Sequence, residues 1–156
     1  MTRRQPLTIS SNERPKFLID DLKASLGEGN YEVGRLDCAD YALGTDLGVE
    51  RKRADNLVSS LVKKLDKEGR PTELDDQMRR CLTKYKRVVL LVEGHVLVQT
   101  SAPSDLIVDG RIRHVPYMAV QAKLLKLQEK GVRIIWTDGM TETIATLVWL
   151  SKGSVV

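Results

Sequence analysis

The sequence predicts an α/β fold in which helices flank a mixed β-sheet. Three features indicate this class. Amphipathic helical segments alternate with short strand-like segments along the chain. The turn-forming residues 44–46 lie between two strand-like segments and predict an antiparallel hairpin. The apolar run at residues 88–92 has the composition of a parallel strand covered on both faces, so the two strand types together imply a mixed sheet.

The bulk composition bounds the class of protein. With 156 residues, 42% hydrophobic and 29% charged, the sequence suits one globular domain over residues 1–156. It has no apolar run of membrane-span length, no hydrophobic signal segment at its start and no phosphate-binding GxxxxGK loop, so we expect neither a membrane partner nor a nucleotide cofactor. Cys38 and Cys81 are far apart, which favours a reducing compartment. We therefore expect an intracellular protein, cytoplasmic or nucleoid-associated in a prokaryote and nuclear in a eukaryote.

The first half of the chain predicts a strand, a helix and a β section. Residues 7–9 form the first strand, and Pro15 suits the first turn of a helix because its missing N–H has no partner there. That helix carries Phe17, Leu18, Leu22 and Leu26 and ends at the glycines that follow. A strand is predicted at residues 31–36, and the hairpin strands at residues 40–43 and 47–52.

The second half begins with two amphipathic helices. Their apolar stripes are Leu57, Val58, Leu61, Val62 and Leu65 in the first, and Leu74, Met78, Cys81, Leu82 and Tyr85 in the second. The buried strand at residues 88–92 follows, then a loop at residues 100–113. The chain is predicted to close with a helix at 117–130, a strand at 132–136 and a helix at 141–150. Trp136 and Trp149 are expected to fill the core.

The residues most suggestive of chemistry lie on the hairpin. With its turn at residues 44–46, Asp40 is expected opposite about Arg51, which makes Glu50 a near neighbour at roughly 5 to 8 Å. Glu50 and Lys52 are two positions apart in a strand and share a face, whereas Arg51 points to the other. Two carboxylates and an ammonium would then lie together.

Phosphodiester hydrolysis calls for this combination of groups. Mg²⁺ prefers carboxylate oxygens and keeps several waters, one of which can attack the phosphate. A neighbouring lysine can orient or deprotonate that water, or neutralise charge as it develops. An acid followed by Glu-x-Lys is the pattern of the PD-(D/E)xK nuclease superfamily, although a charged surface hairpin also produces it by chance.

Further segments resemble the XPF-type structure-specific endonucleases. Glu50-Arg51-Lys52 is similar to the ERKxxxD motif of that family, and residues 56–61 resemble the DLxxSL helix behind it. Residues 89–93 are similar to the LLIE strand, and residues 131–137 resemble the close of the domain. The resemblance covers nearly the whole chain and implies a restriction-endonuclease-like fold.

The resemblance also implies site residues. Asp40 matches the Asp of the family's GD pair, with Ala39 in place of the glycine. It implies that Asp40 and Glu50 hold Mg²⁺ or Mn²⁺, with the Arg51 carbonyl as a further ligand. Lys52 would assist the water or the transition state, and Arg51 would orient the acids or bind phosphate.

Two motifs match the family pattern only in part. The closing Asp of ERKxxxD falls at Asn56, with Asp55 one position early and turned by roughly 100° around the helix. Of the early DxRE element only Glu13 survives, because Ser10 and Asn12 stand at the other positions. Glu13, Asp55 and Asn56 are therefore additional candidates. Glu93, at the end of the LLIE-like strand, is expected either near the metal or paired with Arg87.

The substrate implied by the resemblance is branched DNA, such as a fork, flap or Holliday junction, in repair or recombination. Basic residues crowd between positions 51 and 87, and with the family's cleft in mind we expect phosphate contacts from five residues: Arg53, Ser59, Lys63, Lys64 and Arg79. The sequence holds no helix-hairpin-helix module, so a partner or a homodimer formed through the C-terminal helices is expected to complete the grip on DNA.

A second hypothesis also fits the sequence. The substitutions at positions 10, 12 and 56 are of the kind found in relatives that have lost activity. The alternative is therefore a non-catalytic DNA-binding or partner subunit with a degenerate nuclease fold.

Overall fold

The computed structural model describes residues 5–62, 73–99, 101–102 and 104–153, which form nine strands and five helices within those ranges. The strands are β1 Leu7–Ser10, β2 Tyr31–Gly34, β3 Tyr41–Leu43, β4 Leu47–Arg53, β5 Arg87–Glu93, β6 Val96–Val98, β7 Leu106–Val108, β8 Arg111–Arg113 and β9 Val132–Thr137. The helices are α1 Lys16–Leu26, α2 Ala54–Val62, α3 Glu73–Lys84, α4 Tyr117–Glu129 and α5 Met140–Ser151. In this part of the chain no helix has the length and apolarity needed to cross a bilayer.

The main sheet has six strands in the order β2-β1-β3-β4-β5-β9. Strands β1, β3 and β4 pair antiparallel, whereas β4, β5 and β9 are parallel, and β2 joins the far edge parallel to β1. Helices cover both faces, so the predicted mixed sheet with flanking helices is confirmed.

The central strand β5 divides the core into two halves. Its alternate residues Val88, Leu90 and Val92 belong to a cluster that includes α2, α3 and α4, and Val89 and Leu91 belong to a cluster with α1 and α5. Every residue from Val88 to Glu93 is buried. The prediction of a strand covered on both faces is confirmed. The polar side chains of β5, Arg87 and Glu93, lie at its two ends.

The hairpin is confirmed, with a register one residue different from the predicted one. Tyr41 lies opposite Val49, so Asp40, just before β3, continues the ladder toward Glu50 rather than Arg51. The turn itself is the predicted one, residues 44–46 between the pair Leu43 and Leu47, and Gly44 in it adopts a positive φ of 51°. Counting outward from this turn places position 40 opposite position 50, so Asp40 and Glu50 remain near neighbours across the hairpin.

The predicted loop at residues 100–113 is wrong over much of its length. Strands β7 and β8 lie within it and form a separate antiparallel sheet with β6, which comes just before it. Asp109 and Gly110, with φ of 48° and 82°, make the two-residue turn between β7 and β8, which is the geometry that Asp-Gly favours in hairpins. Three-residue strands carry too little periodicity to be recognised, although the Asp-Gly pair was a usable signal.

The prediction that the two tryptophans fill the core is also wrong. Trp136 is 43% exposed and Trp149 46%. Thr143, Leu147 and Leu150 occupy the buried stripe of α5, which turns Trp149 outward. Trp136 lies near the end of the edge strand β9, where only β5 pairs with it.

Candidate active site

A cleft of about 670 Å³ opens where strands β4 and β5 end, between the start of α5 and the segment that joins β1 to α1. Its lining includes the predicted residues Glu13, Asp40, Glu50, Arg51 and Asn56. The carboxyl ends of parallel strands are the usual place for ligand sites in α/β sheets. The structure therefore brings together residues that are up to 43 positions apart in sequence.

Backbone hydrogen bonds on both sides fix Asp40 in place. Its N–H donates to the Val49 carbonyl (2.9 Å), and its carbonyl accepts from the Ser10 N–H (2.8 Å). Its side-chain Oδ2 accepts from the Arg51 N–H at 2.9 Å. Asp40 thus links β1, β3 and β4 at the cleft, and its side chain has a fixed direction.

The pKa values of the two hairpin carboxyls are raised. Burial, together with the charge of Glu13, raises the pKa of Asp40 to about 6, against the opposing effect of the Arg51 N–H. Burial and the charge of Asp40 raise the pKa of Glu50 to about 8, against the charge of Lys52. Two desolvated carboxylates that repel each other form a site with a strong demand for a cation.

Lys52 and Glu50 lie on one face of β4, as predicted. Their β5 partners are Val92 and Leu90, which both face the α2, α3 and α4 side of the sheet. The positive charge of Lys52 lowers the pKa of both Asp40 and Glu50. Lys52 therefore acts electrostatically on both carboxyls, although it is not among the residues that line the cleft.

The Arg51 side chain points to the other face, where it is held on several sides. Its Nε and Nη2 donate to Glu93 at 3.0 and 2.7 Å, and its Nη1 donates to the Arg14 carbonyl at 3.0 Å. Both charged partners are about 8% exposed. Of the two roles expected for Arg51, this geometry favours orientation over phosphate binding, because each guanidinium nitrogen already donates within the protein.

Glu93 extends this network to α5. Thr143 Oγ1 donates to Glu93 Oε2 at 2.6 Å and lies 2.8 Å from Thr137 Oγ1. Glu93 was expected either near the metal or paired with Arg87. The structure places it in the cleft, where it accepts hydrogen bonds from Arg51. Burial raises its pKa, but the hydrogen bonds from Arg51 and Thr143 outweigh that effect and the pKa is lowered.

The residues present fit a divalent cation. Glu13 is buried, and its Oε2 has no hydrogen-bond partner, while Oε1 lies 3.8 Å from Arg51 Nη1. No group of three or more His, Cys, Asp or Glu side chains in the described ranges forms a ready metal cage. Mg²⁺ does not require one, because it is commonly bound through one or two carboxylates and keeps several waters. Asp40 and Glu50 satisfy that requirement.

The two residues at the start of α2 face different ways. Asn56 is exposed and lines the cleft, whereas Asp55 lies 3.6 Å from Arg113 Nη1 of β8. Arg113 also donates to the Ser59 hydroxyl. The cleft therefore has an amide at the position where the family motif has an acid, and Asp55 and Ser59 instead link α2 to the small sheet.

The other predicted DNA contacts are placed as follows. Arg53, at the end of β4, is exposed and lines the cleft. Arg79 is paired with Asp76 on α3 and lines a separate groove between α3 and α4, away from the cleft. Lys63 and Lys64 lie outside the described residues. Sequence reasoning missed Arg14 and Asp138 at the cleft, since neither belongs to a recognisable motif.

We expect Ala39→Gly to stabilise the protein. Ala39 has a φ of 73°, in the left-handed region where a Cβ costs roughly 1–2 kcal/mol, and it directly precedes Asp40. Part of that gain is lost because glycine makes the unfolded chain more flexible. A net gain of about 0.5–1 kcal/mol should appear in urea unfolding.

Ala42→Gly is the matched control, because Ala42 is buried in strand β3 without a positive φ. It should destabilise the protein. Equal destabilisation by both substitutions would mean that Ala39 is unstrained.

Comparison with known proteins extends the resemblance. A model of the ERCC4 domain family matches residues 9–150. A solved structure of XPF from Aeropyrum pernix superposes with a TM-score of 0.70 at 20% identity, covering 96% of this chain and 64% of that one. XPF from Aeropyrum pernix in complex with DNA gives 0.65 at 23% identity, covering 96% and 66%. The chain thus spans about two thirds of each solved chain, and these similarities show a shared fold. None of the curated proteins matches significantly.

Proposed function

The chain belongs to the ERCC4 domain family, and on that premise we propose that it is a Mg²⁺- or Mn²⁺-dependent nuclease domain that hydrolyses phosphodiester bonds in branched DNA. The observation that carries the proposal is the pair of carboxyls at the cleft, Asp40 and Glu50, with the charge of Lys52 near enough to lower the pKa of both. Two carboxylates with raised pKa values beside an ammonium are the groups that metal-assisted phosphate hydrolysis needs.

The proposed roles follow from the surroundings of each residue. Asp40 and Glu50 would hold the cation, with the Arg51 carbonyl as a further oxygen. When bound, a divalent cation supplies Lewis-acid activation of water and of the phosphate. Lys52 contributes an ammonium beside both carboxylates, which can neutralise charge that develops on the phosphate oxygens.

Arg51 is a positioning residue in this proposal. Its main-chain N–H holds the Asp40 carboxylate, and its guanidinium ties β4 to Glu93 and to the Arg14 carbonyl. Through Thr143, the same network reaches the first turns of α5. The cleft walls are therefore fixed relative to the acids, as catalysis requires of groups that must meet a phosphate within a fraction of an ångström.

DNA contacts are proposed to come from exposed basic residues at the rim. Arg53 and Arg14 are exposed and line the cleft, whereas the expectation for Lys63 and Lys64 rests on the sequence alone. Such contacts bind the backbone of any sequence and give a steep salt dependence. The solved XPF described as a complex with DNA supports nucleic acid as the partner.

A homodimer is also proposed. Helices α4 and α5 expose apolar side chains, among them Leu125 (56%) and Trp149 (46%), which a second copy would cover. Sedimentation velocity over a hundredfold range of concentration should show a dimer. A single monomeric species throughout would contradict this part of the proposal.

The second candidate function is a non-catalytic DNA-binding or partner subunit. The observation in its favour is Asn56, which places a neutral amide in the cleft where the motif has an acid. An amide oxygen remains a ligand for Mg²⁺, but one negative charge is lost. The two candidates differ in whether the site binds metal and cuts.

The proposed function is tested with labelled fork, flap, four-way-junction and plain duplex DNA, each with Mg²⁺, Mn²⁺ or EDTA. Cleavage of the branched substrates that needs metal and leaves plain duplex largely intact is expected. The Lys52→Ala variant should cut roughly 10²- to 10⁴-fold more slowly. Tight, salt-dependent binding without cutting under either metal would favour the non-catalytic candidate.

A further inference from the structure

A second groove of about 290 Å³ lies beside the cleft. Its walls are the segment that leads from β5 into β6, the start of α4 and the end of β9. Gly94 and Asp138 line both the groove and the cleft, so the two adjoin. The roles proposed for Asp40, Glu50 and Lys52 make no use of it.

Trp136 forms one wall of this groove. Its β5 partner is Val92, which faces the α4 side of the sheet, so the indole projects toward α4 while 43% of its surface stays exposed. Leu97, 57% exposed, lies on the β6 side, and Tyr117 contributes a second aromatic side chain from α4. Trp136, Leu97 and Tyr117 line the same groove, and apolar side chains gathered in this way mark a candidate ligand site.

The polar groups of the groove lie around this apolar wall. Gln121 donates to the Tyr117 hydroxyl, so both present polar atoms from α4. His95 is exposed, and its Nε2 lies 3.3 Å from Asp138 Oδ1 at the boundary with the cleft. The groove therefore combines an aromatic face with hydrogen-bonding groups at its edges.

We propose that this groove binds one unpaired nucleobase of the DNA, stacked on Trp136, next to the phosphate that lies in the cleft. The inference rests on the proposed function and narrows its substrate to DNA with an unpaired nucleotide beside the cut. Base stacking on an aromatic side chain tolerates any sequence, because every base has a π face. A base within a duplex is stacked between its neighbours and does not fit.

The chemistry of the groove favours a base over a second copy of the chain. A nucleobase needs a flat aromatic partner and hydrogen bonds at its edge, and Trp136, Gln121 and His95 supply both. Because the groove adjoins the cleft at Gly94 and Asp138, it lies within reach of a nucleotide that flanks a phosphate in the cleft. Aromatic residues make up only 4% of the chain and the groove has one tryptophan, so we expect it to stack one base rather than a run of bases.

The chain contains two tryptophans, of which Trp136 lines the groove and Trp149, on α5, does not, so each can be followed alone as a reporter. In Trp149→Phe only Trp136 fluoresces, and in Trp136→Phe only Trp149 does. Both are titrated in EDTA with fork DNA and with plain duplex of equal length. Fork DNA should quench Trp136 strongly, duplex should quench it little, and Trp149 should respond to neither.

Affinity supplies the second readout. Trp136→Ala should weaken fork binding about 5- to 100-fold, the effect typical of losing one stacked base, and leave duplex binding unchanged. An abasic nucleotide at the first unpaired position of the fork should weaken wild-type binding similarly and add nothing to Trp136→Ala. Unchanged thermal unfolding of each variant shows that the fold is intact.

The outcomes separate this inference from the proposed function. Equal quenching by fork and duplex, or a Trp136 signal that changes with protein concentration without DNA, would overturn the stacking site; the second result would indicate a second copy in the groove. Metal-dependent cutting that Trp136→Ala leaves unaltered, with unaltered fork affinity, overturns the inference alone. Quenching of Trp136 by forks without any cutting supports the groove and overturns the proposed activity.

Discussion

Glu50→Gln is expected to lower the rate of DNA cleavage by about a thousandfold or more, because it removes a proposed metal ligand from the cleft. Glu50 lies within strand β4, and glutamine has the same size as glutamate, so the surrounding packing is preserved. Single-turnover cleavage of a fork with saturating Mg²⁺ measures the effect. Asp40→Asn should behave alike, since its charge acts on the same site.

The same substitution should stabilise the metal-free protein at high pH. The pKa of Glu50 is raised to about 8, so below that pH the folded protein keeps a proton that the unfolded chain has already released. Stability therefore falls as the pH rises from the ordinary range of a glutamate toward 8. Glutamine does not titrate, so the stability of the variant does not fall in this pH range. At high pH its free energy of unfolding should exceed that of the wild type by more than about 1 kcal/mol. Unfolding in EDTA at pH 8.5 should show the gain.

The matched control is Glu28→Gln, an exposed acid in the turn after α1. It should leave both the cleavage rate and the free energy of unfolding at pH 8.5 close to those of the wild type. If Glu50→Gln cut DNA at the wild-type rate, Glu50 would not be a ligand. If it unfolded more easily at pH 8.5, the carboxylate would be stabilised in the fold by a partner other than a metal.

Arg51→Ala should have the largest effect on stability, a loss of about 3–5 kcal/mol in the free energy of unfolding. It leaves the buried Glu93 carboxylate without either of its guanidinium hydrogen bonds. Glu93→Ala should cost a similar amount, and the double variant less than the sum, because the two losses are one interaction. Urea unfolding of all three variants gives the coupling energy.

The pH dependence of this pair has the opposite sign to that of Glu50. The pKa of Glu93 is lowered in the folded protein, so its contribution is fully present above the ordinary pKa of a glutamate and is lost as the pH falls through the lowered value. In Glu93→Gln, the free energy of unfolding should therefore fall less steeply than in the wild type as the pH is lowered below the ordinary pKa of a glutamate. Arg53→Ala, at an exposed neighbour, should change stability by less than about 0.5 kcal/mol. Equal losses for Arg51→Ala and Arg53→Ala would contradict the network.

The hairpin and the residues on it could be predicted from sequence because the determining signals are local. The turn after Leu43 sets the antiparallel pairing, and the two-residue period of a strand places Glu50 and Lys52 on one face. The expected pairing of Asp40 with Arg51 was wrong by one residue, because a turn at residues 44–46 pairs position 40 with position 50. Such an error changes which residues face each other, although here Asp40 and Glu50 stayed neighbours.

The Arg51–Glu93 pair could not be predicted, because its partners are 42 residues apart and meet only once β4 and β5 align in parallel. Glu93 at the end of a buried run was visible in sequence, but the sequence left its partner open between the cleft and Arg87. The exposed Trp136 was missed for a related reason. Strand periodicity assigns a face, whereas exposure depends on what covers that face at the edge of the sheet.

Calorimetric titration of Mn²⁺ at pH 8 into the wild type, Asp40→Asn and Glu28→Gln tests most directly that the cleft is a metal site. Saturable binding by the wild type and by Glu28→Gln is expected, with binding by Asp40→Asn weakened about tenfold or more. The wild type should also release protons on binding, because the raised pKa of Glu50 leaves it partly protonated at that pH. Absent binding, or binding that Asp40→Asn leaves intact, would contradict the assignment and favour a non-catalytic ERCC4 domain.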